Sequence, residues 1–78
     1  MIVFNEIIER LRTLLQHQTG QTKIRDRDIA TTLNLDPQYF AVIKRRNKIP
    51  YEALAHFCHR QHISLNWILF GQAPRHLT

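Results

Sequence analysis

The sequence predicts an all-α fold, a compact arrangement of five short helices. Three observations carry the prediction. Apolar residues recur at helical three-and-four spacing in successive short segments, and nowhere do they alternate as in a half-buried strand. Only two glycines and three prolines are present, all near inferred helix ends. The stretch from Asp26 to Pro50 then reads as a short helix, a tight turn, a second short helix and a cluster of positive charge. Two short helices joined by about three residues make a helix-turn-helix, which can present its second helix to a DNA duplex.

In order along the chain, Phe4, Ile7, Ile8, Leu11, Leu14, Leu15 and Gln18 follow the spacing of one helix. The apolar members share an arc of roughly 120°, with Glu6, Glu9, Arg10 and Thr13 outside it. This first helix is expected near residues 3–17, capped by Asn5 or the chain start and ended by Gly20. The second is expected near 26–33, with Ile29, Ala30 and Leu33 inward. Asn34 tolerates the left-handed backbone that turns the chain, and Leu35 follows as an apolar plug. Asp36 is a strong N-cap and Pro37 suits the first turn of a third helix near 37–46. Ile49-Pro50 breaks the chain before a fourth helix over about 51–61, with Tyr51, Leu54, Phe57, Cys58 and Gln61 on one side. After His62-Ile63, Ser64 caps a fifth helix, LNWILF, which Gly71 terminates. The residues beyond have no periodicity. The expected division is a helix-turn-helix domain over 1–72 and a tail over 73–78.

Seventy-eight residues allow one domain, and 44% hydrophobic content is enough for a packed core. A single cysteine excludes an intrachain disulfide framework and suits a reducing cytosol. The N-terminus is too broken by charge for a secretory signal, and no window is apolar enough to span a membrane. The expected location is therefore cytoplasmic and nucleoid-associated. Net charge is +5, and four of the eleven Lys and Arg residues fall within positions 44–48. Lys23, Arg25 and Arg27 lie just before or within the second helix. Charge concentrated at one feature predicts a polyanionic partner, here double-stranded DNA.

On the third helix, Phe40 and Ile43 point to the core, and Gln38, Tyr39, Ala41, Val42, Arg45 and Arg46 occupy the opposite arc. Arg can donate two hydrogen bonds to a guanine edge, Gln can bond adenine bidentately, and a small apolar side chain can meet a thymine methyl. An exposed β-branched Val42 gains nothing in water, so a partner surface would justify it; the alternatives are a contact with another part of the fold or a residue that is simply tolerated. Lys44, Arg46, Asn47 and Lys48 suit phosphates, which position a protein on a duplex without specifying sequence. Arg27 is a further phosphate candidate, with an ion pair to Asp26 or Asp28 as the alternative.

These residues carry a family resemblance. Ile29-Ala30, Leu33-Asn34, Phe40, Ile43, Arg45-Arg46-Asn47 and Ile49-Pro50 are followed by Glu52 to Cys58 and by Ile63 to Gly71. Together they resemble the helix-turn-helix domain of phage CI-type repressors, within the lambda-repressor-like superfamily. The resemblance spans about residues 4–71. It implies a compact five-helix domain, operator DNA as partner, and often a homodimer. Carried over by position, Gln38, Tyr39, Ala41, Val42 and Arg45 would sit in the major groove, with Asn47 near a phosphate. Many members have Ser-Asn-Trp where this chain has Ala41-Val42-Ile43, so the target is expected to differ and thymine contacts to weigh more. Many such repressors continue into a C-terminal oligomerisation or self-cleaving domain. With the sequence ending at Thr78, that activity is not expected in it. It is either a small stand-alone regulator or the DNA-binding domain of a longer one.

Other chemistries fare less well. His56, Cys58, His59 and His62 are close in sequence, but helical spacing sends Cys58 to the apolar face and the histidines outward, so no metal is expected. A core-facing Cys58 predicts an inert thiol. Paired carboxylates and phosphate-cradling glycine loops are missing from the sequence, so no enzyme, cofactor or small-molecule substrate is expected. The competing reading is a protein-interaction module on the same fold, antitoxin-like or a docking domain. Its surface would be the fifth helix, where Trp67 and Phe70 are also candidates for a homodimer seam.

Overall fold

The computed structural model describes residues 1–77. Its helices are α1 (Phe4–Thr19), α2 (Asp26–Thr32), α3 (Pro37–Arg45), α4 (Tyr51–Gln61) and α5 (Leu65–Phe70). Among the described residues no strand forms; one isolated antiparallel bridge joins Ile63 to His76. The long α1 packs against α2 and α5, α2 against α3, and α4 against α5. One core results, from Phe4, Ile7, Ile8, Leu11, Leu14 and Leu15 of α1 with Ile29, Leu33, Phe40, Ile43, Leu54, Phe57 and Ile68. Buried Ile24 and Ile63 come from connections where helical periodicity had nothing to say. Conversely, Gln18, Tyr51 and Gln61, placed by spacing on buried faces, are exposed. They sit at helix ends, where the arc has already left the core; Gln18 Nε2 instead donates to Gln61 Oε1 across the surface at 3.3 Å.

Local chemistry sets most helix ends. The Asp36 carboxylate accepts from the N–H groups of Gln38 and Tyr39, both at 3.1 Å, with Pro37 as first helical residue. Asn34 turns the chain at φ 58°, and Leu35 N–H reaches the Ala30 carbonyl at 2.8 Å. Ser64 Oγ accepts from Trp67 N–H at the start of α5. Gly71 closes α5 at φ 75°, and an added Cβ there would meet the Arg10 guanidinium at 3.2 Å. Arg10 fills that space because it donates to the Ile68 carbonyl at 2.8 Å, placing a cation at the α5 C-terminus.

The start of α1 departs from expectation. Its N-cap is Val3, without a side-chain cap, and Asn5 lies inside the helix. The cap comes instead from the α3–α4 turn: Asn47 Oδ1 accepts from Phe4 N–H at 2.7 Å, and Asn47 Nδ2 donates to the Ile2 carbonyl at 3.2 Å. Asn47 does this from a left-handed backbone, φ 52°. Asn47→Ala removes both bonds and strains the turn, so it is expected to destabilise by about 1–3 kcal/mol. Asn47→Gly relieves the strain and should recover part of that loss. Urea unfolding of the two variants measures the split, and wild-type stability for both would contradict the cap.

The segment expected as a tail folds back on the domain. Ser64 N–H donates to the Arg75 carbonyl at 2.8 Å and Leu77 N–H to the His62 carbonyl at 2.9 Å. The Arg75 guanidinium stacks 4.6 Å from the Trp67 ring centroid. Thr78, the last residue of that expected tail, lies outside the described residues.

Candidate nucleic-acid interface

Two buried side chains hold α3 in place. Phe40 and Ile43 are each 2% exposed, and Phe40 meets Phe4 edge-to-face with centroids 5.5 Å apart. With that face inward, Gln38, Tyr39, Ala41, Arg45 and Arg46 are exposed and Val42 is half-buried. Val42 thus divides its surface between the fold and solvent. The exposed residues form a ridge between two shallow grooves. Ala41 and Arg45 line one with Asp26, Arg27 and Lys44. Tyr39 lines the other, with Leu35, Tyr51, Glu52 and His56.

The cations of α2, α3 and their flanking turns fall into two groups. Lys23, Arg25, Arg27, Arg45, Arg46 and Lys48 are exposed and, among the described residues, pair with no carboxylate. Arg27 is left unpaired because both neighbouring acids are engaged elsewhere. Asp28 accepts from Arg25 N–H at 2.8 Å, and Asp26 is held by Arg12 and Lys44. Lys44 and Asn47, two of the five expected phosphate contacts, are likewise occupied within the fold. Lys44 Nζ lies 2.5 Å from Asp26 Oδ2, and Asn47 caps α1.

Sequence spacing did not single out Arg12. Its guanidinium reaches Asp26 Oδ1 at 2.8 Å and Glu9 Oε2 at 3.1 Å, and also donates to the Ile24 carbonyl. The only signal in the sequence was an Arg at the edge of the α1 apolar arc. The hydrogen bond from Lys44, then that from Arg12, holds the Asp26 carboxyl below the usual carboxylate range, against an opposing effect of burial. A depressed folded-state pKa stabilises the fold above the unfolded value, near pH 4, and that contribution is lost as pH falls through the folded value. Unfolding measured from about pH 5 downward should show this loss, and Asp26→Asn should flatten that part of the profile.

The other constellations do not converge. Cys58 is 4% exposed, and burial pushes its thiol up to about 11. His56, His59 and His62 are exposed, with His56 Nε2 3.6 Å from Glu52. Among the described residues no three His, Cys, Asp or Glu side chains come together as a metal cluster. Nor is any helix there long and apolar enough to cross a membrane. On α5, Trp67 is half-buried beneath Arg75 while Phe70 is 55% exposed.

Comparison with curated proteins and with solved structures returned no match. Comparison with protein-family models did: residues 13–75 match the bacteriophage CI repressor helix-turn-helix domain. That span takes in the C-terminal part of α1, from Thr13 to Thr19, and all of α2 to α5, including the cap at Asp36, the exposed ridge of α3 and the cationic turn after it. This chain therefore belongs to the phage CI repressor helix-turn-helix family, a family of DNA-binding regulators.

Proposed function

We propose that this protein is a sequence-specific, repressor-type transcriptional regulator that inserts α3 into the major groove of operator DNA. The observation that carries the reading is the ridge of α3, whose exposed Gln38, Tyr39, Ala41 and Arg45 are flanked by Arg27, Arg46 and Lys48, cations that pair with no carboxylate among the described residues. In this reading residues 1–72 form the DNA-binding domain and the protein acts in the cytoplasm, at the nucleoid. Arg45 and Gln38 donate to base edges, Ala41 and the open part of Val42 meet thymine methyls, and Tyr39 packs along the groove wall. Arg27, Arg46 and Lys48 neutralise phosphates and supply affinity common to all sequences.

Two copies binding as a homodimer would set their α3 helices in successive major-groove faces, roughly 34 Å apart. Exposed Phe70, one helical turn from Trp67, is one apolar surface available for that seam. Salt titration of DNA binding tests the division of labour. Lys48→Ala should weaken specific and random duplexes alike and lower the slope of log K against log salt by about 0.9. Loss confined to the specific duplex would contradict a phosphate role for Lys48.

A further inference from the structure

Lys44 stands on α3 between the core and the proposed phosphate path, yet its ammonium is already engaged. Its side chain is 35% exposed and lies 2.5 Å from Asp26, whereas its neighbours Arg45 and Arg46 are exposed and pair with no carboxylate among the described residues. The other Asp26 oxygen takes Arg12 of α1 at 2.8 Å, and Arg12 is fixed in turn by Glu9 and the Ile24 carbonyl. One carboxylate at the first residue of α2 thus ties α1 to α3. The same residues, Asp26 and Lys44, line the groove beside Ala41 and Arg45. A phosphate arriving there must compete with a carboxylate tethered by the fold itself. Winning Lys44 would leave Asp26 facing that phosphate with only Arg12 as counter-charge, so the exchange yields little net attraction.

We propose that Asp26 is a positioning residue for DNA binding, locking α3 to α1 through Lys44 and Arg12 and keeping Lys44 out of the phosphate-contacting set. The inference rests on the DNA-binding reading above. It makes Asp26 a limiter of non-specific affinity: the fold gives up one cation at the interface in exchange for a fixed α3. Asp26→Asn keeps the side chain's shape but removes its charge, and releases Lys44 to a phosphate.

The test is the salt dependence of binding to a random-sequence duplex, read by fluorescence anisotropy for four proteins: wild type, Asp26→Asn, Lys44→Met and the double variant. Wild type and Lys44→Met should share one slope. Asp26→Asn should steepen it by about 0.9, the value for one added phosphate contact, and the double variant should return to the wild-type slope. A slope lowered by Lys44→Met alone would overturn the proposal, because Lys44 would then already be on the DNA. So would an unchanged slope in Asp26→Asn. Absence of binding by all four would overturn the DNA reading and this inference together, so the two failures are distinguishable. A readout without DNA comes from NMR titration of the Asp26 carboxyl. It should titrate at higher pH in Lys44→Met than in wild type, and an unchanged midpoint would refute the lock.

Discussion

Phe40→Ala is expected to cost about 3–5 kcal/mol, the range for truncating a buried phenylalanine. The side chain is 2% exposed, and its edge-to-face contact with Phe4 adds a pair term of about 0.5–1.5 kcal/mol that alanine cannot replace. Small domains have total stabilities that start near 5 kcal/mol, so this variant should be largely unfolded at 37 °C. The consequence for function is indirect. Phe40 anchors the inner face of α3, and its loss should abolish DNA binding where the protein melts while leaving sequence preference intact wherever it stays folded. Thermal unfolding by circular dichroism checks the first part, and binding in the cold or with a stabilising osmolyte checks the second. A melting temperature near that of wild type would contradict the packing described for α3.

Arg45→Ala is expected to do the opposite. Arg45 is exposed and pairs with no carboxylate among the described residues, so removing it should leave stability within about 0.5 kcal/mol of wild type. Bound in the major groove, a bidentate arginine contributes about 1–3 kcal/mol of discrimination, or roughly 5- to 150-fold between the right base and a wrong one. The variant should therefore accept substitutions at one position of each half-site and keep its preferences elsewhere. Competition binding against a panel of single-base variants reads this directly. Equal losses on specific and random DNA would move Arg45 to the phosphate set.

These predictions separate what the chain announces locally from what only the fold assembles. Asn34, Asp36-Pro37, Ser64 and Gly71 act within a few residues of themselves, through caps and left-handed turns, so their roles could be read from the sequence. The core stripe of α1 was equally readable, since six apolar side chains repeat at helical spacing and all six are buried. The outward arc of α3 followed from the inward one. The capping role of Asn47 is not readable: the residue stands in a basic loop, and nothing local says that it caps a helix 43 residues away. Lys44 is a similar case, because its partner Asp26 lies 18 residues back and becomes a neighbour only once α2 and α3 pack. Arg75 over Trp67 depends on the chain reversing after Gly71. Asn47 and Lys44 are both polar, and both have long-range partners within the fold. Helical periodicity places such side chains on a face without saying what waits there.

Family membership and an exposed basic ridge on α3 converge on DNA binding, and the question they leave is whether α3 discriminates. Selection from random duplexes, followed by titration of the best sequence and its scramble at two salt concentrations, answers it most directly. A palindromic winner bound at least about a thousandfold more tightly than scramble is expected, with both affinities falling as salt rises. Equal, salt-sensitive affinity for the two would contradict sequence reading by α3 and reduce the protein to a basic helical domain that recognises phosphates alone.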